Sequence, residues 1–157
     1  MTVEWRREKG FLVADGREVE CWSKVRNECN GLRPRVPLWT GKTDVYYATG
    51  GAPAMPREFP KGHWHITGFK EHPDPTEDHG YLYPIFIRTD AVSKVPEWSL
   101  DARGRYAEPT GRWLDDRDLG LHFSSCDWTQ GCVRIAKEED ARWLWQVLSV
   151  EDEFIVT

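Results

Sequence analysis

The sequence predicts a mainly β domain with one helix packed beside it, near the C-terminal end. Many short apolar or alternating segments are separated by glycine- and proline-rich turns, and a single segment repeats at helical spacing. The chain has 157 residues, 39% of them hydrophobic and nine of them Trp, which suffices for one core. The sequence contains no internal repeat, so we expect a single domain over residues 1–157.

Net charge and hydropathy argue against a nucleic-acid-binding protein and against a membrane-spanning one. The net charge is -5 at pH 7 and there is no basic patch, which argues against nucleic-acid binding. No run approaches eighteen apolar residues, so we expect no membrane span. Residues 1–10 lack the apolar stretch of a secretory signal. A signal removed earlier, export by another route and retention inside the cell all remain open.

The first strong local signal is a β-hairpin over residues 10–25. Asp15-Gly16 is a typical two-residue hairpin turn between the apolar run Phe11–Ala14 and an alternating segment from Arg17. The alternating segment carries Cys21, which could pair with Cys29 or remain a thiol. The sequence therefore does not fix the redox compartment.

The middle of the chain is predicted as strands between loops. Strands are expected at Val45–Thr49 and at His63–Phe69, and the prolines of residues 52–62 predict irregular structure between them. His63 and His65 share one strand face, which is compatible with metal ligation or with a polar surface. We favour the surface because no cysteine or acid follows at a recognisable ligand spacing, and we expect neither a metal nor a cofactor. Residues 26–44 and 71–80 are predicted to be loops.

The C-terminal half carries the most apolar strand and the helix. Tyr81–Asp90 is predicted as a strand, at an edge or bulge because of Pro84. Residues 91–118 are predicted to be a long, mostly irregular insert, of the kind that often covers a binding site. A short strand at Leu119–Phe123, a helix over Glu138–Leu148 and a terminal strand at Phe154–Val156 complete the chain.

Residues 121–135 place a histidine, a cysteine and an arginine close together. Cysteine is a good nucleophile only as a thiolate, so it needs a base or a positive charge nearby. His122 can supply the base for Cys132, and Arg134 the positive charge. Gly131 would let a carbonyl approach the backbone N–H groups. The alternative is an inert buried cysteine. A zinc site is disfavoured, because Cys126 and Cys132 are six residues apart.

The motif Thr129-Gln130-Gly131-Cys132-Val133-Arg134 resembles the [Ser/Thr]-x-Gly-Cys-[Ile/Val/Leu]-Arg motif of the L,D-transpeptidase catalytic domain, the YkuD-type fold, at every fixed position. The segment 60–66, the helix at 138–148 and the strand at 154–156 are similar to that family's elements. The chain departs from the family at Phe123, where glycine is usual, in a shorter histidine-to-cysteine gap and in its long insert.

The resemblance implies a β-sandwich or barrel-like fold and cysteine-dependent chemistry on peptidoglycan stem peptides. It implies a Cys132 thioester, with His122 as base and then acid and with backbone N–H groups at Gly131-Cys132 holding the oxyanion. The thioester would be resolved by crosslinking, D-amino-acid exchange or L,D-carboxypeptidase hydrolysis. Arg134 would organise the loop or contact a substrate carboxylate. Ser124 would orient the imidazole, and the proposed substrate-binding residues are Trp128, Tyr83, Thr129 and Gln130.

Two other functions compete with this enzyme. One is a non-catalytic wall-binding or phage structural module on the same fold. The other, an unrelated cysteine peptidase or amidase, is disfavoured because the histidine precedes the cysteine. We expect action at the cell wall or periplasm. Because no signal peptide is visible, we expect delivery by phage or secretion-apparatus components, unless the sequence is that of a mature protein.

Overall fold

A closed barrel of eight strands forms the frame of the protein. The computed structural model describes residues 1–23, 46–47, 53–54, 58–71, 85–100, 102–103, 106–123 and 131–157. In chain order their elements are β1 (Thr2–Trp5), β2 (Phe11–Ala14), β3 (Arg17–Trp22), β4 (Tyr46–Tyr47), β5 (Pro53–Ala54), β6 (Gly62–Glu71), β7 (Ile85–Thr89), β8 (Ser93–Leu100), β9 (Tyr106–Asp116), β10 (Gly120–Phe123), β11 (Val133–Ile135), α1 (Glu138–Val147) and β12 (Glu153–Val156).

The order of strands around the barrel is β1-β12-β6-β7-β10-β11-β3-β2. Two of its pairs are parallel, β1 with β12 and β10 with β11, and the other six are antiparallel. Alternate residues of the strands point inward and are fully buried, as the period of two requires. The core side chains from the barrel include Val3, Leu12, Val19, Ile66, Ile87, Leu121, Val133, Ile135 and Phe154. The predicted mainly β, barrel-like fold is confirmed.

The hairpin predicted around Asp15-Gly16 is present as β2 and β3. Asp15 has φ 48° and Gly16 has φ 72°, so both central residues are left-handed, as a type I′ turn demands. The turn pairs Ala14 with Arg17 and continues through Phe11 with Glu20. The register places Cys21 in the core, next to Ile135 of β11.

The first strand, β1, was missed by the sequence analysis. Val3 and Trp5 are buried and alternate with exposed Thr2 and Glu4, which is the strand pattern in its shortest form. Its partners are the antiparallel β2 and the parallel β12 at the far end of the chain. A four-residue alternation carries little signal by itself, and the long-range partner is what stabilises it.

The predicted C-terminal helix is confirmed as α1. Its first turn holds Glu138, Glu139 and Asp140, where the helix dipole favours negative charge. Arg17 of β3 forms an ion pair with Asp140 and lies 4.4 Å from the ring centroid of Trp143, which ties the helix to the hairpin. The apolar side of α1 joins the core and packs against β7, β10 and β11. The predicted terminal strand follows as β12.

Two predictions of irregular structure were wrong. The insert at 91–118 contains β8 and β9, which pair with each other as an antiparallel ribbon outside the barrel. The register of the ribbon shifts between Pro96 and Trp98. A two-stranded ribbon has two edges, so it tolerates residues that cannot donate to a ladder. In the segment 52–62, Pro53–Ala54 forms β5 and pairs with Tyr46–Tyr47 of β4.

Several other predictions concern residues outside the described ranges. These include the loops at 26–44 and 72–80, the start of the strand at Tyr81, and Cys29. The strand predicted at Val45–Thr49 is described only as Tyr46–Tyr47. Among the residues that are described, no helix is long and apolar enough to cross a membrane.

Replacing Gly16 with alanine is expected to destabilise the protein by about 1 kcal/mol, because alanine pays a steric penalty at positive φ. No atom lies within 4 Å of the added Cβ, so backbone strain is the sole cost. Gly10→Ala is the matched control, since that site is equally open and has no positive φ. Urea unfolding compares the two variants, and equal stabilities would contradict the turn assignment.

Candidate active site

The site is built on the parallel pair β10 and β11. Leu121 lies opposite Val133, and His122 lies opposite Arg134. Successive side chains of a strand point to opposite faces, and Leu121 and Val133 are fully buried in the barrel core. His122 and Arg134 therefore share the other face of the sheet. The apolar residues of the two strands anchor the barrel while the polar ones form the site.

His122 is buried, with 1% of its surface exposed. Its ring stacks on Phe86 of β7, with the two centroids 6.2 Å apart and the planes inclined by 17°. Burial, and to a lesser extent the positive charge of Arg134, lower the pKa of His122 from 6.5 to about 3. The imidazole is therefore neutral at physiological pH, which is the form that can accept a proton.

Cys132 lies at the start of β11 and is partly exposed. Its Sγ donates a hydrogen bond to the carbonyl oxygen of Asp118 at 3.6 Å. Continuing the register by one residue places Cys132 on the same face as His122 and diagonal to it. The strand rise and spacing put the two Cα atoms roughly 8 Å apart. An imidazole and a thiol directed toward each other span much of that distance.

Gly131, directly before the thiol, is buried and has φ 104°. This backbone conformation favours glycine because a Cβ would be strained there. The turn brings the Cys132 N–H to the start of the strand without a side chain at the preceding position. Such a backbone can approach a reacting carbonyl closely.

Arg134 is buried at 1% exposure, and its Nη1 donates to the carbonyl oxygens of Ile135 at 2.6 Å and Ala136 at 2.9 Å. Its guanidinium carbon lies 4.9 Å from the centroid of Trp22 and 5.0 Å from that of Phe123. A planar cation contacting aromatic rings and bonded to the following carbonyls is well placed to order the link between β11 and α1. Of the two roles expected for Arg134, this geometry supports the organising one.

The second described thiol has a different environment. Cys21 is a free thiol in the barrel core, and burial raises its pKa to about 12. A thiol with so high a pKa is a poor nucleophile. Of the two alternatives for Cys21, a pair with Cys29 or a thiol, the structure has the thiol. Cys29 and Cys126 themselves lie outside the described residues.

The structure thus brings together four of the predicted site residues: His122, Gly131, Cys132 and Arg134. The other predicted positions lie outside the described ranges: Ser124, Trp128, Thr129, Gln130 and Tyr83. Sequence reasoning missed the Asp118 carbonyl and the Phe86 ring. Phe86 was visible as the middle of an Ile-Phe-Ile run, but only the strand pairing shows what it contacts.

The two histidines of β6 have surface environments. His63 is exposed, and His65 Nδ1 lies 3.1 Å from Asp90 Oδ2. The hydrogen bond that the His65 ring donates to the Asp90 carboxylate raises the pKa of His65. Within the part of the chain that the structure describes, no three His, Cys, Asp or Glu side chains are grouped to hold a metal ion.

Comparison with known proteins identifies the family of the chain. The family model of the L,D-transpeptidase catalytic domain, YkuD, matches residues 30–156. The chain belongs to the L,D-transpeptidase catalytic domain family. The family predicted from the Gly131-Cys132 motif is thereby confirmed.

A solved L,D-transpeptidase from Xylanimonas cellulosilytica has a similar fold, with a TM-score of 0.50 and 16% sequence identity. The match covers 99% of this chain and 59% of that one, so the present chain spans less than two thirds of its structural neighbour. At this identity the likeness concerns the fold. No curated protein matches the chain.

The buried His122 should make this L,D-transpeptidase-family domain less stable in mild acid. Its pKa is lower in the folded state than in the unfolded one, so the unfolded state binds the additional proton. Stability from the neutral ring is complete above about pH 6.5 and is lost as the pH falls toward 3. Between pH 7 and pH 5 the expected loss is about 2 kcal/mol in urea unfolding.

His122→Gln is the control, because it removes this titration and leaves the others. His65 changes in the opposite direction, but it does so in both proteins and cancels in the difference. Equal pH dependence of unfolding in the two proteins would show that His122 is not held neutral by the fold.

Arg134→Lys is expected to cost about 2–4 kcal/mol of stability, because lysine keeps the charge but loses the planar contacts and one or both carbonyl bonds. Arg142→Lys is the matched control. Arg142 is exposed and pairs with Glu71 and Glu138 on the surface, so the change should cost less than about 0.5 kcal/mol. Urea unfolding measures the stability of both variants. Similar losses of stability would argue against the organising role of Arg134.

Proposed function

We propose that this domain is a cysteine-dependent peptidoglycan L,D-transpeptidase that acts on stem peptides through a thioester on Cys132. The observation that carries the proposal is the parallel pairing of β10 with β11. This pairing puts His122 and Cys132 on one face of the sheet, with Gly131 beside the thiol. Membership of the L,D-transpeptidase family supports the reaction class and the substrate.

The first half-reaction forms the thioester. Neutral His122 accepts the thiol proton of Cys132, and the sulfur attacks the carbonyl carbon of the diamino-acid residue in the stem peptide. The carbonyl oxygen becomes an oxyanion held by backbone N–H groups at Gly131-Cys132. When the intermediate collapses, the C–N bond breaks. His122 then returns the proton to the amine of the departing D-amino acid.

The second half-reaction releases the acyl group. An acceptor amine attacks the thioester carbonyl and gives a new amide bond, while the sulfur leaves and recovers its proton through His122. The acceptor decides between crosslinking and D-amino-acid exchange, and attack by water gives the L,D-carboxypeptidase product. All three outcomes use the same residues.

The contact with Asp118 suits a thiol at rest. A carbonyl oxygen accepts the Cys132 hydrogen bond at 3.6 Å but cannot take the proton away. Cys132 thus stays protonated until its Sγ turns toward His122. The low pKa of His122 fits this order, because a resting thiolate–imidazolium pair would need a charged ring at a buried position.

The site of action follows from the substrate. A peptidoglycan-directed enzyme works at the cell wall or in the periplasm. Delivery by phage or secretion-apparatus components stays a prediction from the sequence. So do the substrate-binding roles of Trp128, Tyr83, Thr129 and Gln130.

The decisive experiment is mass spectrometry of stem-peptide fragments incubated with purified protein. Wild type should release terminal D-alanine or form dimers, and Cys132→Ala should lower the rate by at least about a thousandfold, because the proposed thioester forms on that thiol. Cys126→Ala tests the second thiol that the sequence has near Cys132. Cys21→Ala is the matched control, since that thiol is buried in the core.

Turnover that survives in Cys132→Ala would refute the assignment. A carbapenem, which acylates the thiol in this family, provides a faster check by intact mass. We expect one adduct, on Cys132, in wild type and in Cys21→Ala. Wall binding with neither turnover nor adduct would favour the non-catalytic module.

A further inference from the structure

An aromatic ring outside the family motif contacts the proposed base. Phe86 of β7 lies directly opposite His122 in the antiparallel ladder with β10. The two rings are nearly parallel, inclined by 17°, with centroids 6.2 Å apart. This is an offset stack, one of the arrangements that aromatic rings prefer. Phe86 is half-buried, and its ring lies beside the buried imidazole.

The backbone next to His122 is shaped to admit this ring. A Cβ added at Gly120 would lie 3.1 Å from Phe86 Cζ and 2.2 Å from the carbonyl oxygen of Ile87. The edge of the Phe86 ring therefore rests against the Gly120 backbone, and any side chain there would push it away. Arg88 lies opposite Gly120, and its guanidinium carbon is 5.8 Å from the Phe86 centroid. Gly120, His122 and Arg88 together define where the ring sits.

Strand register also relates Phe86 to Cys132. The parallel register of β10 with β11, continued by one residue, sets Gly120 beside Cys132. Phe86 thus extends from the face of the imidazole toward the strand end that carries Cys132. No polar atom of Phe86 takes part in the proposed chemistry, so any contribution must come from shape and from exclusion of water.

We propose that Phe86 is a positioning residue for His122, whose ring sets the plane of the imidazole and keeps water from its face so that it meets Cys132 as a neutral base. The inference rests on the proposed function for its catalytic part. Its structural part, that Phe86 sets the plane of the imidazole, applies also to the protein without substrate.

The charges around the imidazole do not replace this role. Arg134 on β11 disfavours the protonated ring, and Arg88 on β7 lies over Phe86. Neither Arg134 nor Arg88 presents a flat surface parallel to the imidazole, whose terminal torsion is broad unless its neighbours restrict it. A flat ring parallel to the imidazole supplies that restriction, and a branched aliphatic side chain does not.

The test compares Phe86→Leu and Phe86→Met, which keep apolar bulk, with Phe86→Trp, which keeps a flat aromatic face. Phe69→Leu is the matched control. Phe69 is a partly buried aromatic of the neighbouring strand that packs edge to face on Trp145, with centroids 5.2 Å apart. It makes the same kind of core contact at a site that faces the helix.

Two measurements are made on each variant. The first is an NMR titration of the His122 ring in the resting protein. The second is kcat and KM on stem peptides, with their pH dependence. For Phe86→Leu we expect the pKa of His122 to rise toward 6.5 and kcat to fall by about tenfold to a hundredfold, as misplacement of a reacting group does. KM should stay within about twofold, and Phe86→Trp should recover most of kcat.

The inference would be overturned if Phe86→Leu has the wild-type pKa of His122 and the same kcat as the Phe69→Leu control. If Phe86→Leu does not fold, Phe86→Met gives the same comparison. Absence of turnover in wild type would count against the proposed function alone, because the NMR titration still decides whether Phe86 controls the imidazole.

Discussion

The parallel pairing of β10 with β11 is the interaction on which the rest of the site depends. One face of this pair contributes Leu121 and Val133 to the barrel core. The other face carries His122 and Arg134. Cys132 lies directly before the first residue of β11. Because side chains alternate, a slip of one residue would send the polar groups into the core. The hydrophobic packing of the barrel therefore fixes the register of β10 with β11, which places His122 and Arg134 on one face.

Burial and charge act together on that face. Arg134 keeps its positive charge in any environment, and its two carbonyl bonds and aromatic neighbours offset the cost of burying it. Burial keeps His122 neutral, and the positive charge of Arg134 acts in the same direction. The arginine that follows the cysteine in the motif thus has a dual effect. It orders the chain leading to α1, and it adds to the effect of burial on the protonation state of His122.

The structure confirms the predictions that were based on a pattern within one short segment. The hairpin at Asp15-Gly16 follows from two residues that tolerate positive φ, and α1 follows from helical spacing behind an acidic first turn. The predictions failed for strands that depend on pairing with another segment of the chain. The segment that forms β8 and β9 was predicted to be mostly irregular, and its two strands are stabilised by pairing with each other. The strand β1 was missed because four alternating residues carry little signal, and it is stabilised by pairing with β2 and with β12 at the other end of the chain.

The sequence by itself determined the identities of the candidate site residues: a glycine before a cysteine, an arginine two residues after it and a histidine ten before it, in a pattern that resembles one family. It could not rank the environments of Cys21 and Cys132, or say that His122 is neutral. It also could not place Phe86 against the imidazole. Those properties depend on burial and on strand register, which arise when segments far apart in the chain pack together. Only the tertiary structure decided them.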